Sequence, residues 1–308
     1  KESGLCSNWT LMPDYNLPKI MYVPAERNFL AVVDSPDKLK NLPLMLFTFL
    51  DEYDGARNLY ATGIEIPFGN IRFEYDKQNK LAHITDKAVS YKLRLSEASS
   101  GFQSTVPLYL VTKYLSESLG KEKDAGIKDL SLEEQRKQDK IKARIKNDRK
   151  LNIEQREMRF KLLEALPSAF INIVEEPEQN LFPSSQQKLL NSLLEYNNRN
   201  EGNKLIITTH SPCLINYLSI AIQGAALSNL INKSNKANIL TEKLKKVVPV
   251  KSVINSDDVI VYQMDEVNGS ISKLPNPEGI PSDKNYLNQS IRQGNLQFDQ
   301  LLEIEEEL

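Results

Sequence analysis

Two short stretches carry residue types suited to chemistry. In Phe170-Ile171-Asn172-Ile173-Val174-Glu175-Glu176-Pro177 an apolar, β-prone run ends in two adjacent carboxylates. Packing does not explain such a pair: like charges at a strand tip repel and resist desolvation, so they need a cation or water beside them. Open α/β sheets receive ligands at the carboxyl ends of their strands, where this pair falls. There Glu175 suits the Mg²⁺ of a nucleotide, directly or through water, and Glu176 suits orienting and polarising an attacking water. A solvated acidic strand end is the alternative. The second stretch, Leu205-Ile206-Ile207-Thr208-Thr209-His210-Ser211-Pro212, reads as a neighbouring buried strand that ends in His210 at the same edge. A neutral imidazole there can donate to a phosphate oxygen or to the attacking water. His210 is one of two histidines, His83 being the other. A lone histidine is more often structural, but one that ends the strand a single crossover after a Glu-Glu tip is a stronger signal.

The elements around these stretches read as an α/β fold. A helix from about Ser184 to Asn198 joins the two apolar runs, and strand, helix, strand with unbroken apolar strands predicts a parallel sheet covered on both faces. Ile20–Val23 reads as a further short buried strand closed by Pro24. Ser35-Pro36-Asp37 has the chemistry of a helix start, with the helix running towards Tyr53 and bent or split at Pro43. From Ile64 to Leu95 the period changes to two: Ile71, Phe73 and Tyr75 alternate with Arg72, Glu74 and Asp76, and Val89, Tyr91, Leu93 and Leu95 with Ser90, Lys92 and Arg94. That pattern predicts an antiparallel meander with one wet face. A helix follows Ser99-Ser100-Gly101, with Val106, Leu110 and Tyr114 stacked at four-residue spacing. Lys121–Lys161 holds fourteen Lys/Arg against nine Asp/Glu and a thin apolar stripe. It reads as one or two projecting helices, either a solvated insertion or a docking and nucleic-acid surface. Asp258–Met264 and Ser270–Leu274 flank Asn268-Gly269, a strong hairpin turn, and Gln297–Leu308 reads as an acidic helix.

Glu175-Glu176-Pro177-Glu178, then Leu181-Phe182-Pro183, then Thr209-His210-Ser211-Pro212 resemble the Walker B, D-loop and switch-histidine run of ABC-type ATPases. Among these the chain is most similar to the branch of overcoming-lysogenization-defect (OLD) proteins and bacterial anti-phage ATPases, where Glu-Glu-Pro-Glu replaces the Asp-Glu-Pro of transporters. The resemblance implies Glu176 as catalytic carboxylate, Glu175 as the metal-side carboxylate, His210 as switch histidine, and Asn180 and Leu181 in a D-loop facing a second subunit. Ser99-Ser100-Gly101-Phe102-Gln103 resembles a variant signature motif, which in the family acts in trans on the partner's nucleotide. Its small residues and free N–H groups at a helix start suit an anion, and a simple helix cap is the other reading. Tyr22-Val23-Pro24-Ala25-Glu26-Arg27 also looks like this branch; Arg27 is read as a phosphate or loop contact, or as a structural neighbour of Glu26.

The chain as a whole sets bounds on these readings. Its 308 residues, 40% hydrophobic and 26% charged, suffice for a sizeable core, and a net charge of −2 gives no global case for nucleic acid. Cys6 and Cys213 lie far apart without metal-ligand spacing, as expected of free thiols in a cytoplasmic protein. No apolar run of membrane-spanning length is evident, and no membrane partner is expected. No G-x-x-x-x-G-K-[ST] occurs. By the resemblance that phosphate-cradling loop lies ahead of Lys1, so the expected protein is a longer ATPase. Expected divisions are 1–100, the rest of an N-terminal ATPase lobe with the meander; 101–165, signature helix and charged insertion; 166–265, the ATPase core; and 266–308, the C-terminal hairpin and helices.

The functional expectation is an ABC-type switch that binds and hydrolyses ATP with Mg²⁺. It would work as a homodimer or higher homo-oligomer sandwiching nucleotides, and drive an effector protein such as a nuclease in anti-phage defence or DNA maintenance. The alternative is a nucleotide-responsive scaffold that assembles the effector with little hydrolysis. A nuclease within this chain is disfavoured, because Asp257-Asp258 are adjacent rather than spaced as Asp-x-Asp.

Overall fold

A computed structural model describes residues 18–33, 42–86, 88, 91–119, 139, 142–143, 145–148, 151–164 and 167–308, without the side chains of 161–164. Three parallel strands form the sheet that matters for function: β1 (Pro18–Val23), β6 (Ala169–Glu175) and β7 (Lys204–Thr208), in the order β1-β6-β7. In register, Tyr22, Ile173 and Ile206 lie side by side, and Glu175 pairs with Thr208. After β1 a 3₁₀ turn, Ala25–Asn28, runs into the short helix α1 (Phe29–Val32).

The antiparallel meander is present as β2 (Ile64–Glu65), β3 (Ile71–Asp76), β4 (Leu81–Asp86) and β5 (Tyr91–Arg94). Ile71, Phe73 and Tyr75 turn inward, as their period of two requires. The β3–β4 turn is closed by Asp76, whose carboxylate accepts from the backbone N–H groups of Gln78 and Asn79.

Two helices lie between the sheets, α2 (Leu44–Leu59) and α3 (Ser100–Ser118). Helix α3 is apolar nearly all round, and Val106, Leu108, Leu110, Val111 and Leu115 are each fully buried. Each such side chain contributes about 1.5–3 kcal/mol by leaving water. One hydrophobic cluster runs from Met21 to Tyr196 through both sheets and both helices. The rest of the chain comprises α4 (Ile153–Glu164), α5 (Pro183–Asn197), α6 (Pro212–Ile231), α7 (Ala237–Lys245), the hairpin β8 (Tyr262–Met264) with β9 (Ile271–Lys273), and α8 (Tyr286–Glu306).

Several expectations need correction. The parallel sheet is covered on one face only among the described residues. Met21, Val23 and Val174 are buried on the helix side, while Ile20 (59% exposed) and Ile206 (49% exposed) share the other side. A continuous apolar run therefore marked a strand without showing that both its faces were packed. Helix α2 starts at Leu44, directly after Pro43, a position that a residue without N–H fills at no cost. The proposed start at Ser35 falls outside the described residues, as do Cys6 and much of the charged segment, whose end lies in the helix Ile153–Glu164. Helix α8 begins at Tyr286, eleven residues before Gln297, and α6 and α7 were not foreseen. Contrary to expectation, α6 is long and apolar enough to cross a membrane by length and composition. Its Leu214, Ala221, Ile222, Gly224 and Ala225 are buried within the fold, and Leu214 and Ala221 join Leu190 and Leu194 of α5 in a second core.

Candidate functional site

The candidate residues meet at the carboxyl edge of the parallel sheet. The ladder extends one residue past β6, because Glu176 N–H donates to the Thr208 carbonyl at 2.9 Å. The chain then turns sharply, with Glu176 at φ 41° and Asn180 at φ 59°, a region that side-chain-bearing residues enter only under constraint. Gln179 N–H to Glu176 O (3.1 Å) and Leu181 N–H to Glu178 O (3.0 Å) close two overlapping turns.

Arg27 supplies much of the constraint. Its guanidinium is fully buried and donates to four carbonyls: Ser104 (3.1 Å), Pro24 (3.1 Å), Glu175 (2.7 Å) and Glu176 (2.7 Å). The end of β1, the start of α3 and the tip of β6 are thereby tied to one planar cation. Burial lowers its pKa from 12.5 to about 10, against the opposing pull of the Glu178, Glu176, Glu175 and Glu26 carboxylates. This corrects the phosphate-contact reading of Arg27: its donors are spent on backbone and no part of it reaches solvent.

The Glu175 carboxylate accepts from Ala25 N–H at 3.1 Å and from the Tyr22 hydroxyl, whose pKa that bond, followed by burial, pushes up to about 12. Glu176, 38% exposed, turns its Oε1 to within 3.8 Å of His210 Nε2, and the imidazole itself is 86% exposed. The separation is a close approach too long for a hydrogen bond. The histidine loop hangs from Glu178, whose Oε1 accepts from both Thr209 Oγ1 and His210 N–H at 2.8 Å. Its other oxygen, Oε2, is buried without a hydrogen-bond partner. Ser211 Oγ donates to Gln186 Oε1 of α5 at 2.6 Å, fixing the far side of the loop.

Ser99 and Ser100 stand exposed at the start of α3, with Ser99 as N-cap but no side-chain cap bond. Helix geometry leaves the first N–H groups there without intrahelical acceptors. Gly101 is buried against the turn after β6, and a Cβ on it would sit 2.7 Å from the Asn180 carbonyl oxygen. The Ser-Ser-Gly turn and Asn180 thus form one surface of one chain. Gln103 needs correction as a ligand-binding residue: its amide N–H groups donate to the Ser96 and Ala98 carbonyls, both at 2.9 Å, so it braces the loop before α3.

Sequence reasoning gave no role to Glu178, Gln186 or Tyr22, although Glu178 stood in the quoted motif. A glutamine buried on the packed side of α5 was the available sign for Gln186. Among the described residues no three His, Cys, Asp or Glu side chains gather as a metal cage. Mg²⁺ does not require one, since it is commonly held by one or two carboxylates, waters and substrate phosphates. A carboxylate offers about four lone-pair sites, so Glu175 with its two donors retains acceptor capacity suited to such an ion or its water.

With this geometry in place, residues 150–215 match the AAA ATPase domain family. The matched span contains Glu175, Glu176, Asn180 and His210, and stops short of Arg27 and the start of α3. The match makes the segment similar to an ATP-binding ATPase domain. No curated protein matches the chain.

Proposed function

We propose that the segment matching the AAA ATPase domain is the hydrolytic edge of an ATP-driven switch, with Glu176 handling the attacking water and His210 sensing the terminal phosphate. The observation that carries this reading is the 3.8 Å approach of Glu176 and His210 beyond the tips of adjacent parallel strands. Glu176 has the exposure a water-polarising base needs, and its backbone is held from behind by Arg27. Water oxygen forms the new bond to the γ-phosphorus, the bond to the β,γ-bridging oxygen breaks, and the water proton passes towards Glu176. His210 can donate from Nε2 to a phosphoryl oxygen where charge builds up. Mg²⁺, held on the side of Glu175, would neutralise phosphate charge when bound.

The switch reading extends to assembly. Two copies would sandwich nucleotides between them, the exposed start of α3 and the adjoining Asn180 turn of each facing the phosphates bound by the other. Hydrolysis would reset that dimer and drive an effector, a nuclease being the favoured kind, in anti-phage defence or DNA maintenance in the cytoplasm. The charged segment 121–161 is the candidate contact for effector or nucleic acid.

Steady-state phosphate release by the full-length protein, compared with Glu176→Gln, tests the reading. Turnover that falls by at least about 100-fold in the variant supports it. Equal, negligible turnover in both would favour the nucleotide-responsive scaffold instead.

A further inference from the structure

Helix α8 has no buried residue along its 21 positions. Ile291, Leu296, Phe298, Leu301 and Ile304 are each more than 50% exposed. Leu287, Ile291, Gly294, Phe298 and Leu301 follow the four-three spacing of a helix made to lie against another surface. Most helical stability in proteins comes from packing an apolar face, and a continuous apolar stripe marks a contact. Only the start of α8 is anchored: Asn285 caps it through Asn288 N–H, Tyr286 OH donates to Asp265, and Arg292 pairs with Asp283. From Leu296 onward the helix stands clear of the body, with Asp299, Glu303, Glu305, Glu306 and Glu307 and no Lys or Arg.

The same chain carries a surface of opposite charge. Between Lys233 and Lys251 lie six lysines and a single acid, Glu242. Asn238, Ile239, Glu242, Lys243 and Lys246 share one open face of helix α7 there. Ile239, 62% exposed, adds an apolar side chain to this face. Lys243 and Lys246 make no ion pair among the described residues.

We propose that the acidic half of α8 docks on α7 of a second copy of this chain, and that two copies exchange these helices reciprocally about one two-fold axis. The acidic half of α8 is exposed at every position, so its own α7 does not cover it, while the charge match lies within one sequence, so an identical molecule supplies it. Reciprocal exchange covers both α7 faces at once and closes the assembly as a dimer. The contact does not involve the edge carrying Glu176, so it forms without nucleotide and is separable from the proposed ATP sandwich.

Sedimentation equilibrium of the full-length protein without nucleotide provides the test. A dimer is expected that weakens as salt rises. Lys243→Glu with Lys246→Glu, and separately Glu303→Lys with Glu306→Lys, should each raise the dissociation constant at least about 10-fold while circular dichroism stays unchanged. Combining all four substitutions in one chain should restore dimerisation, as should mixing the two double variants. A nucleotide-free protein that stays monomeric, a dimer indifferent to both double variants, or a loss that the combined variant fails to rescue would each overturn the proposal. So would a monomer whose Lys243 and Lys246 bind vesicles of anionic lipid, which would assign the surface to a membrane.

Discussion

Replacing Arg27 should cost more stability than replacing any carboxylate at the site. The guanidinium is fully buried and spans four carbonyls from three separate segments. A hydrogen bond from an ionised donor contributes about 1.5–3 kcal/mol, so four give roughly 6–12 kcal/mol gross. Against this stands the cost of holding a cation away from water, several kcal/mol, whose mark is the pKa drawn down to about 10. Arg27→Met keeps much of the volume and removes every donor, leaving the carbonyls facing a thioether. The expected net loss is about 3–5 kcal/mol, the usual consequence of deleting one side of a buried polar contact. Urea unfolding followed by circular dichroism should show the midpoint falling by about 1–2 M for a slope of about 2–3 kcal/mol/M. Arg27→Lys separates charge from shape: an ammonium offers three donors from one point and cannot span a planar fork. It should lose about 2 kcal/mol despite keeping the charge. If Arg27→Met costs less than about 1 kcal/mol, or Lys behaves like Arg, then Arg27 does not hold this edge together.

Glu176→Gly should leave stability unchanged or raise it by up to about 1 kcal/mol in thermal unfolding, because glycine accepts the φ of 41° without strain. Gly101→Ala should cost about 1–3 kcal/mol in the same assay, since its Cβ would meet the Asn180 backbone oxygen at 2.7 Å and the turn would have to move. Glu178→Ala removes the acceptor of Thr209 Oγ1 and His210 N–H, so hydrogen exchange at the His210 amide should quicken by about 10-fold. Burial alone would raise the Glu117 carboxyl, but hydrogen bonds from Lys113, Tyr60 and Arg199 outweigh it and hold the pKa at about 2. The folded value lies below the unfolded one, so this stability is present above about pH 4.5 and lost as pH falls towards 2. Glu117→Gln should flatten the acid limb of a stability–pH curve by about 1–2 kcal/mol.

Residues that act through pattern were readable from sequence; those that act through long-range contact were not. Alternation of Ile71, Phe73 and Tyr75 was sufficient for the meander, because a period of two has one structural meaning. Glu175, Glu176 and His210 stood out because charge at the end of an apolar strand contradicts burial, and the contradiction is local. Arg27 carried no such sign: a cation near Glu26 in sequence looks like a surface pair, and only the fold brings Ser104 and Glu176, 77 and 149 residues away, onto its donors. Gln103 misled for a related reason, since a glutamine beside a helix start suits a ligand as well as it suits the Ser96 and Ala98 carbonyls. The uncovered sheet face was equally hidden, because Ile206 is the same residue whether a helix lies over it or not.

The two partners at this edge are held by different means, and the difference bears on how a switch could work. Glu176 is fixed at its backbone: its N–H is in the sheet ladder, its carbonyl is on Arg27, and its turn is closed by Gln179. His210 is fixed only through its main chain to Glu178, while its imidazole is 86% exposed and free of any hydrogen bond among the described residues. A side chain so placed can change rotamer at little cost, whereas the Glu176 main chain cannot move without disturbing its bonds to Thr208, Arg27 and Gln179. On the proposed reading the Glu176 main chain is therefore the stationary element and the imidazole the responsive one. Glu178, which binds both the loop of His210 and the field of Arg27, is the route by which a change at one would reach the other. That route predicts that Glu178→Gln, which keeps an acceptor but removes the charge, preserves the loop while weakening its electrostatic tie to Arg27.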